Sequence, residues 1–279
     1  MTSVIGILGL GSIGQRHAQN LMRLGYQVIA HDPADHLSHS RDHVIRSADA
    51  VIICSPTKHH IHDLVDVCGG PNGKPALVEK PIAMDAPPEY VRGLLEGVQR
   101  NGTPVMVGYN LRFHSAVKRI KEILDRGDLG EIELADLCVL QKNIKYTEPV
   151  VLNWSHEIDL ALYLFGSAKL VSSDNHQDTS HLMLRHERCR STSITMDYLA
   201  DPEVRVGYIT GSKKSLAYDL VGRTILIDGV VEKFDDSWDA NYLDELTTFL
   251  AVLDGHSSSI IATGYDGYHA YKIAYEAMK

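Results

Sequence analysis

Val4-Ile-Gly-Ile-Leu-Gly-Leu-Gly-Ser-Ile-Gly14 is an apolar run that breaks into the spacing Gly9-x-Gly11-x-x-Gly14, and the next apolar run, Val28–Ala30, is followed by Asp32. A strand turning sharply into a helix needs these glycines. Gly9 permits the tight turn, Gly11 lets an anion approach the backbone, and Gly14 lets the helix pack closely on its strand. The N–H groups at the helix start then face a pyrophosphate. The flanks agree: a strand at Val4–Leu8, a helix from about Ser12 to Leu24, and Gly25 where a helix C-cap belongs. A carboxylate at Asp32 can accept both ribose hydroxyls and would repel a 2′-phosphate, so the expected cofactor is NAD rather than NADP.

Bulk properties narrow the class. A chain of 279 residues suits two domains, and 44% hydrophobic with 23% charged residues is the balance of a soluble globular protein. The net charge of −9 is spread along the chain without a basic stripe, so neither nucleic acid nor an anionic membrane is an expected partner. The apolar stretch Val4–Leu10 is too short and glycine-broken for a signal sequence or a membrane span, which leads to the expectation of a cytoplasmic protein. Cys54, Cys68, Cys138 and Cys189 are far apart and form no CxxC, so they read as structural thiols of a reducing compartment. His31, His36, His39 and His43, and then His59, His60 and His62, raise the question of a metal. They lack cysteine partners and the i, i+4 spacing with a Glu that helical zinc sites use, and no metal is expected.

The fold class expected is α/β: an N-terminal Rossmann domain with a doubly wound parallel sheet, then a C-terminal α+β domain with an open, mostly antiparallel sheet. Strands Ala50–Cys54, Ala76–Glu79 and Val105–Tyr109 alternate with helices His59–Val67 and Glu89–Arg100. From Ser115 the pattern changes to a helix, a strand at Glu131–Leu140 and a helix at Trp154–Phe165. Runs at Ser180–Leu184, Ser191–Tyr198, Val204–Thr210, Ser215–Leu220 and Thr224–Ile227 then follow without intervening helices. Two closing helices are expected at about Asp239–Leu253 and Tyr265–Met278. The domains are accordingly read as 1–114 for the dinucleotide and 115–279 for substrate binding and oligomerisation.

A doubly wound sheet binds its ligand beyond the carboxyl ends of its strands. That rule singles out Ser55-Pro-Thr57, Glu79-Lys80-Pro81 and Tyr109-Asn110, each following an expected strand on that edge. A lysine there can hydrogen-bond a substrate hydroxyl and stabilise the alkoxide that forms as hydride leaves. Pro81 permits a cis peptide at that point. An exposed loop lysine is the plainer alternative. In Ser155-His156-Glu157-Ile158-Asp159 the three-residue spacing places His156 and Asp159 on one helix face, equipment for a general base. A histidine that merely opens a buried helix is equally compatible with the pattern.

Taken together, Gly9-Leu-Gly-Ser-Ile-Gly-Gln-Arg-His17, Ser55-Pro-Thr-Lys-His-His60, Glu79-Lys-Pro81, Gly108-Tyr-Asn-Leu-Arg-Phe113, Ser155-His-Glu-Ile-Asp159 and Asp197-Tyr-Leu199 resemble, in order, the glucose-fructose oxidoreductase / inositol dehydrogenase family. The resemblance covers nearly the whole chain. It implies an oxidoreductase that moves a hydride between NAD and a secondary hydroxyl of a sugar, sugar derivative or cyclitol, in a homo-oligomer (dimer or tetramer). It also implies Lys80 and His156 as catalytic residues, meeting over the redox carbon of the dinucleotide, and cofactor contacts from Gly9, Gly11, Ser12, Ile13, Asp32, Ser55, His60, Glu79 and Asn110. One departure matters. The family usually carries an Asp three or four residues before the histidine, where this chain has Leu152 and Asn153. Asn153 can hydrogen-bond a substrate but cannot take a proton, which leaves His156 with Asp159, or Lys80 alone, to move it. Gln141–Val151 is also short where relatives carry a longer, glycine-rich excursion. These departures keep two alternatives open: a non-catalytic NAD-binding sensor or scaffold, and an enzyme that recycles its hydride internally for elimination or glycoside cleavage.

Overall fold

The computed structural model describes residues 3–142 and 148–279. The core of the segment expected to be short over the substrate, residues 143–147, lies outside them. In chain order the first elements are β1 (Val4–Leu8), α1 (Ser12–Arg23), β2 (Gln27–His31), α2 (Arg41–Ser47), β3 (Ala50–Ile53), α3 (His60–Cys68), β4 (Ala76–Glu79), α4 (Pro88–Arg100) and β5 (Val105–Gly108). A 3-10 turn at Asn110–Phe113 leads to α5 (Ser115–Asp125), β6 (Ile132–Leu140), α6 (Val150–Asn153) and α7 (Ser155–Phe165). The strands β7 (Ala168–Asn175), β8 (Thr179–His186), β9 (Cys189–Asp197), β10 (Val204–Gly211), β11 (Ser215–Asp219), β12 (Thr224–Ile227) and β13 (Val230–Lys233) come next. The chain closes with α8 (Trp238–Leu253), β14 (Ala262–Thr263) and α9 (Gly264–Ala277).

These elements form two compact units, one of Met1–Tyr109 with Tyr242–Tyr268, the other of Asn110–Asn241 with His269–Lys279. The first unit is therefore not the contiguous stretch 1–114. It recruits most of α8, β14 and the start of α9 from the far end of the chain. Its sheet runs β14-β5-β4-β3-β1-β2, with β1 to β5 parallel and β14 antiparallel to β5. Parallel strands covered on both faces read as continuous apolar runs, and β3, Ala-Val-Ile-Ile, is buried throughout. Because β2 lies on one side of β1 and β3 on the other, strand order reverses at β1. The crevice beyond the carboxyl ends of β1 and β3 is thus the binding position of such a sheet.

The second unit is built on a sheet ordered β13-β12-β11-β10-β6-β9-β8-β7. All its pairs are antiparallel except β6 with β9. One face carries the inward residues of strict alternation, as in β8, where Ser180, Leu182, Leu184 and His186 are buried while their neighbours are exposed. Helix α7 lies against β6 and β9. The register groups Met183, Ser193, Asp136, Tyr208, Ala217, Leu226 and Val231 on the opposite face.

Candidate active site

In the first unit the glycine turn has the geometry its sequence demanded. Gly9 has φ +95°, and a Cβ there would collide with the Cys54 carbonyl. A Cβ on Gly14 would collide with the Gly9 carbonyl oxygen, so close approach of α1 to β1 requires glycine at this position. Gly11 caps α1 and faces open space where a side chain would stand. That opening, beside first-turn N–H groups that a helix leaves without internal partners, fits a diphosphate, and Ser12 and Ile13 open the helix there. Asp32 follows β2 and accepts from the Leu10 N–H at 2.6 Å and the Ala34 N–H at 2.8 Å. Those two backbone donors hold its carboxyl below the usual carboxylate range, so it meets a ligand as an anion. Arg41, the first Arg or Lys after Asp32, is held by Asp63 at 2.6 Å and Asp66 at 2.7 Å. The carboxylate, as an acceptor, therefore fits the two ribose hydroxyls of NAD.

The loop after β3 and the end of β4 are tied together. Ser55 donates its hydroxyl to Asp63 at 2.5 Å. His60 is fully buried, with Nδ1 2.8 Å from the Pro81 carbonyl and Nε2 2.8 Å from the Ser55 carbonyl. Burial lowers its pKa, against the opposite pull of those two carbonyls. Both ring nitrogens thus face backbone, and the ring of His60, expected to contact the cofactor, braces the two loops. Lys80 is half-buried, and the Lys80–Pro81 peptide bond is cis.

Glu79, expected to contact the cofactor, places Oε1 2.9 Å from Nε2 of His17 on α1. His17, Glu79 and Glu245 bring their imidazole and carboxylate ligand atoms within 4.8 Å of one another, a set of donors that could also hold a divalent ion. Among the described residues none of the histidines that raised the metal question in the sequence belongs to this group. Glu245 and His17 escaped sequence reading. The available signal was weak: a histidine one turn after Gly14, and a Glu inside an apolar helix 166 residues beyond Glu79.

In the second unit α7 opens directly after the short α6, which ends on the buried Asn153. Asp159 accepts from Arg112 at both oxygens, from Nε at 2.9 Å and from a terminal nitrogen at 2.6 Å. A two-point guanidinium pair from the 3-10 turn thus engages Asp159, the residue expected to partner His156. Glu157 pairs with Nε of Arg205 on β10 at 2.9 Å. Arg205 also lies over the Trp154 ring at 5.4 Å, and the Trp154 indole donates to the Asp197 carbonyl. The two acids of Ser155-His-Glu-Ile-Asp159 therefore fasten α7 in place, while His156 is the half-buried residue between them. Asn110 is buried in the same 3-10 turn as Arg112.

Comparison with known proteins is consistent with this arrangement. Residues 1–67 match the family described as D-isomer specific 2-hydroxyacid dehydrogenase, NAD binding domain. The chain is 25% identical over 331 aligned positions to inositol 2-dehydrogenase of Rhizobium meliloti, covering 100% of this chain and 97% of that protein. A shorter match, 28% over 188 positions, covers 59% of this chain and 54% of an uncharacterised oxidoreductase of Bacillus subtilis. Among solved structures, UDP-N-acetylglucosamine 3-dehydrogenase of Acidithiobacillus ferrooxidans superposes with a TM-score of 0.83 at 20% identity, over 99% of this chain and 97% of that one. The scyllo-inositol dehydrogenase of Lactobacillus casei, solved with NAD(H) and scyllo-inositol, gives 0.74 at 20% identity, over 99% of this chain and 97% of that one.

Proposed function

We infer that this chain, a member of the glucose-fructose oxidoreductase / inositol dehydrogenase family, is an NAD-dependent oxidoreductase acting on a secondary hydroxyl of a sugar, sugar derivative or cyclitol. One observation carries the reading: a glycine cradle, an ionised Asp32 and Lys80 all stand at the carboxyl edge of one parallel sheet. Bound NAD supplies the hydride acceptor. Lys80 donates a hydrogen bond to the substrate oxygen and stabilises the alkoxide, and His156 takes the hydroxyl proton. Asn153 orients the substrate without accepting a proton. The substrates for which the relatives are named, inositols and a nucleotide sugar, support a polyol ring with adjacent hydroxyls.

The test is turnover on a panel of inositols, sugars and nucleotide sugars, read by absorbance of reduced nicotinamide. Lys80→Ala is expected to lower turnover by at least about tenfold, a modest share of what positioning supplies, while NAD still binds. Undiminished turnover removes Lys80 from the chemistry. Asn153 favours one rival, an NAD-binding sensor, which would bind a panel member without forming reduced cofactor. Product without reduced cofactor would mark internal hydride recycling.

Two further readings belong here. The four cysteines are free, which supports a reducing compartment such as the cytoplasm, and among the described residues no helix is long and apolar enough to cross a membrane. The open sheet face, with Met183, Tyr208, Leu226 and Val231 exposed, supports a homo-oligomer.

A further inference from the structure

We propose that His17 and Glu245 are positioning residues for Glu79, the imidazole by holding its carboxylate and the neighbouring carboxylate by repelling it toward that imidazole, so that Lys80 leaves the end of β4 in one orientation. The proposal rests on Lys80 acting on the substrate oxygen. A lysine side chain has about 2 kcal/mol of rotamer entropy, and its ammonium is useful in catalysis only within about 0.5 Å of its productive place. The backbone from which it springs must therefore be fixed. Here both neighbours of Lys80 are held by buried imidazoles. His60 contacts the Pro81 carbonyl on one side, and His17 contacts the Glu79 carboxylate on the other.

The Glu79 side is closed in from several elements. His17 is fully buried and Glu245 is 1% exposed. Tyr242 stands edge-on to the His17 ring at 6.2 Å, and Arg16 covers Tyr242 at 4.5 Å. Behind them lies Cys54, whose thiol pKa is pushed up by burial and then by the charges of Glu79 and Glu245. Gly108 completes the seat, because a Cβ there would come within 3.1 Å of Glu79 Oε2. The Glu79 side chain is 14% exposed, but giving up its contact to water would leave a fully buried His17 nitrogen without that partner, so the cluster restricts its rotamer. His17 also sits on α1, one turn beyond Gly14. A single 2.9 Å contact thus joins the helix that receives the pyrophosphate to the residue preceding the lysine.

The experiment uses the full chain with His17→Ala, His17→Gln and Glu245→Gln. Three quantities are measured: NAD affinity, turnover, and the acetylation rate of Lys80 under limiting acetic anhydride, read by peptide mass spectrometry against the exposed Lys58. His17→Ala and Glu245→Gln are expected to lower kcat about tenfold with KM unchanged, and to alter Lys80 acetylation about threefold relative to Lys58. His17→Gln keeps an N–H for Glu79 and is expected to restore both. Should His17→Ala not fold, the two glutamine variants still decide the matter. Unaltered Lys80 acetylation in His17→Ala or Glu245→Gln overturns the clamp, as does a stoichiometric Co²⁺ absorption band lost on removing His17, which would make the cluster a metal centre. If the wild type binds NAD but turns over no panel member, the enzymatic reading fails, and acetylation still reports on the clamp.

Discussion

Asp159 and Arg112 are 1% and 3% exposed and make a two-point pair, so each compensates the other's charge for leaving water. Removing one partner of such a pair strands a buried charge, at a cost of about 3–5 kcal/mol. Arg112→Met is therefore expected to lower the urea midpoint strongly. Asp159→Asn should do the same while turnover per folded molecule stays within about threefold, since its charge is engaged by Arg112. A large loss of turnover without loss of stability would return Asp159 to proton chemistry. The contrast with Lys80 and Asp32 shows what a sequence can tell about single residues. The placement of those two is legible because each directly follows a strand, a local property. Asp159 was legible only as a helical neighbour of His156, because the guanidinium that claims it arrives from 47 residues upstream. The same holds for Glu157 with Arg205, and for His17 with Glu79.

At the scale of elements, the ring of His114 both caps α5 and links it to the loop after β11. Its Nδ1 accepts from the Ala116 N–H at 3.2 Å, which leaves Nε2–H to donate to the Leu220 carbonyl at 3.1 Å. A second proton would have to enter at Nδ1, against an N–H that can only donate. Burial, and then the charge of Arg223, lower the pKa of this imidazole to about 4, with Asp236 pulling the other way and Arg205 adding to the fall. Between pH 6.5 and about 4 the unfolded chain binds a proton that the folded one refuses, so stability drops as pH falls through that window and is unaffected by this group above it. The full loss is about 3 kcal/mol. Urea titrations across the window should show it, and His114→Gln should flatten it. Most elements here were readable in advance because burial imposes a period: β3 as an unbroken apolar run, β8 and β9 as alternation. The exceptions lack that imprint. Helix α2 is seven mainly polar residues, β7 is largely exposed, and β14 is two residues long.

For the whole molecule, a net charge of −9 opposes casual association, and the proposed homo-oligomer would cover the exposed Met183, Tyr208, Leu226 and Val231 of the open sheet face. Tyr208→Glu on that face is expected to reduce the subunit count in sedimentation velocity while leaving the thermal midpoint of each subunit nearly unchanged. An unaltered count would dismiss the face as an assembly surface. The division into units was legible only in part. The alternation of strands and helices marked the first unit up to Tyr109, but nothing in Tyr242–Tyr268 announces that it belongs with residues so distant. That return of the chain has a consequence for biosynthesis. Strand β5 leaves the ribosome long before β14, and at ordinary elongation rates the interval is on the order of ten seconds. Throughout it the nascent polypeptide carries an unpaired strand edge, the kind of surface on which a ribosome-associated chaperone acts.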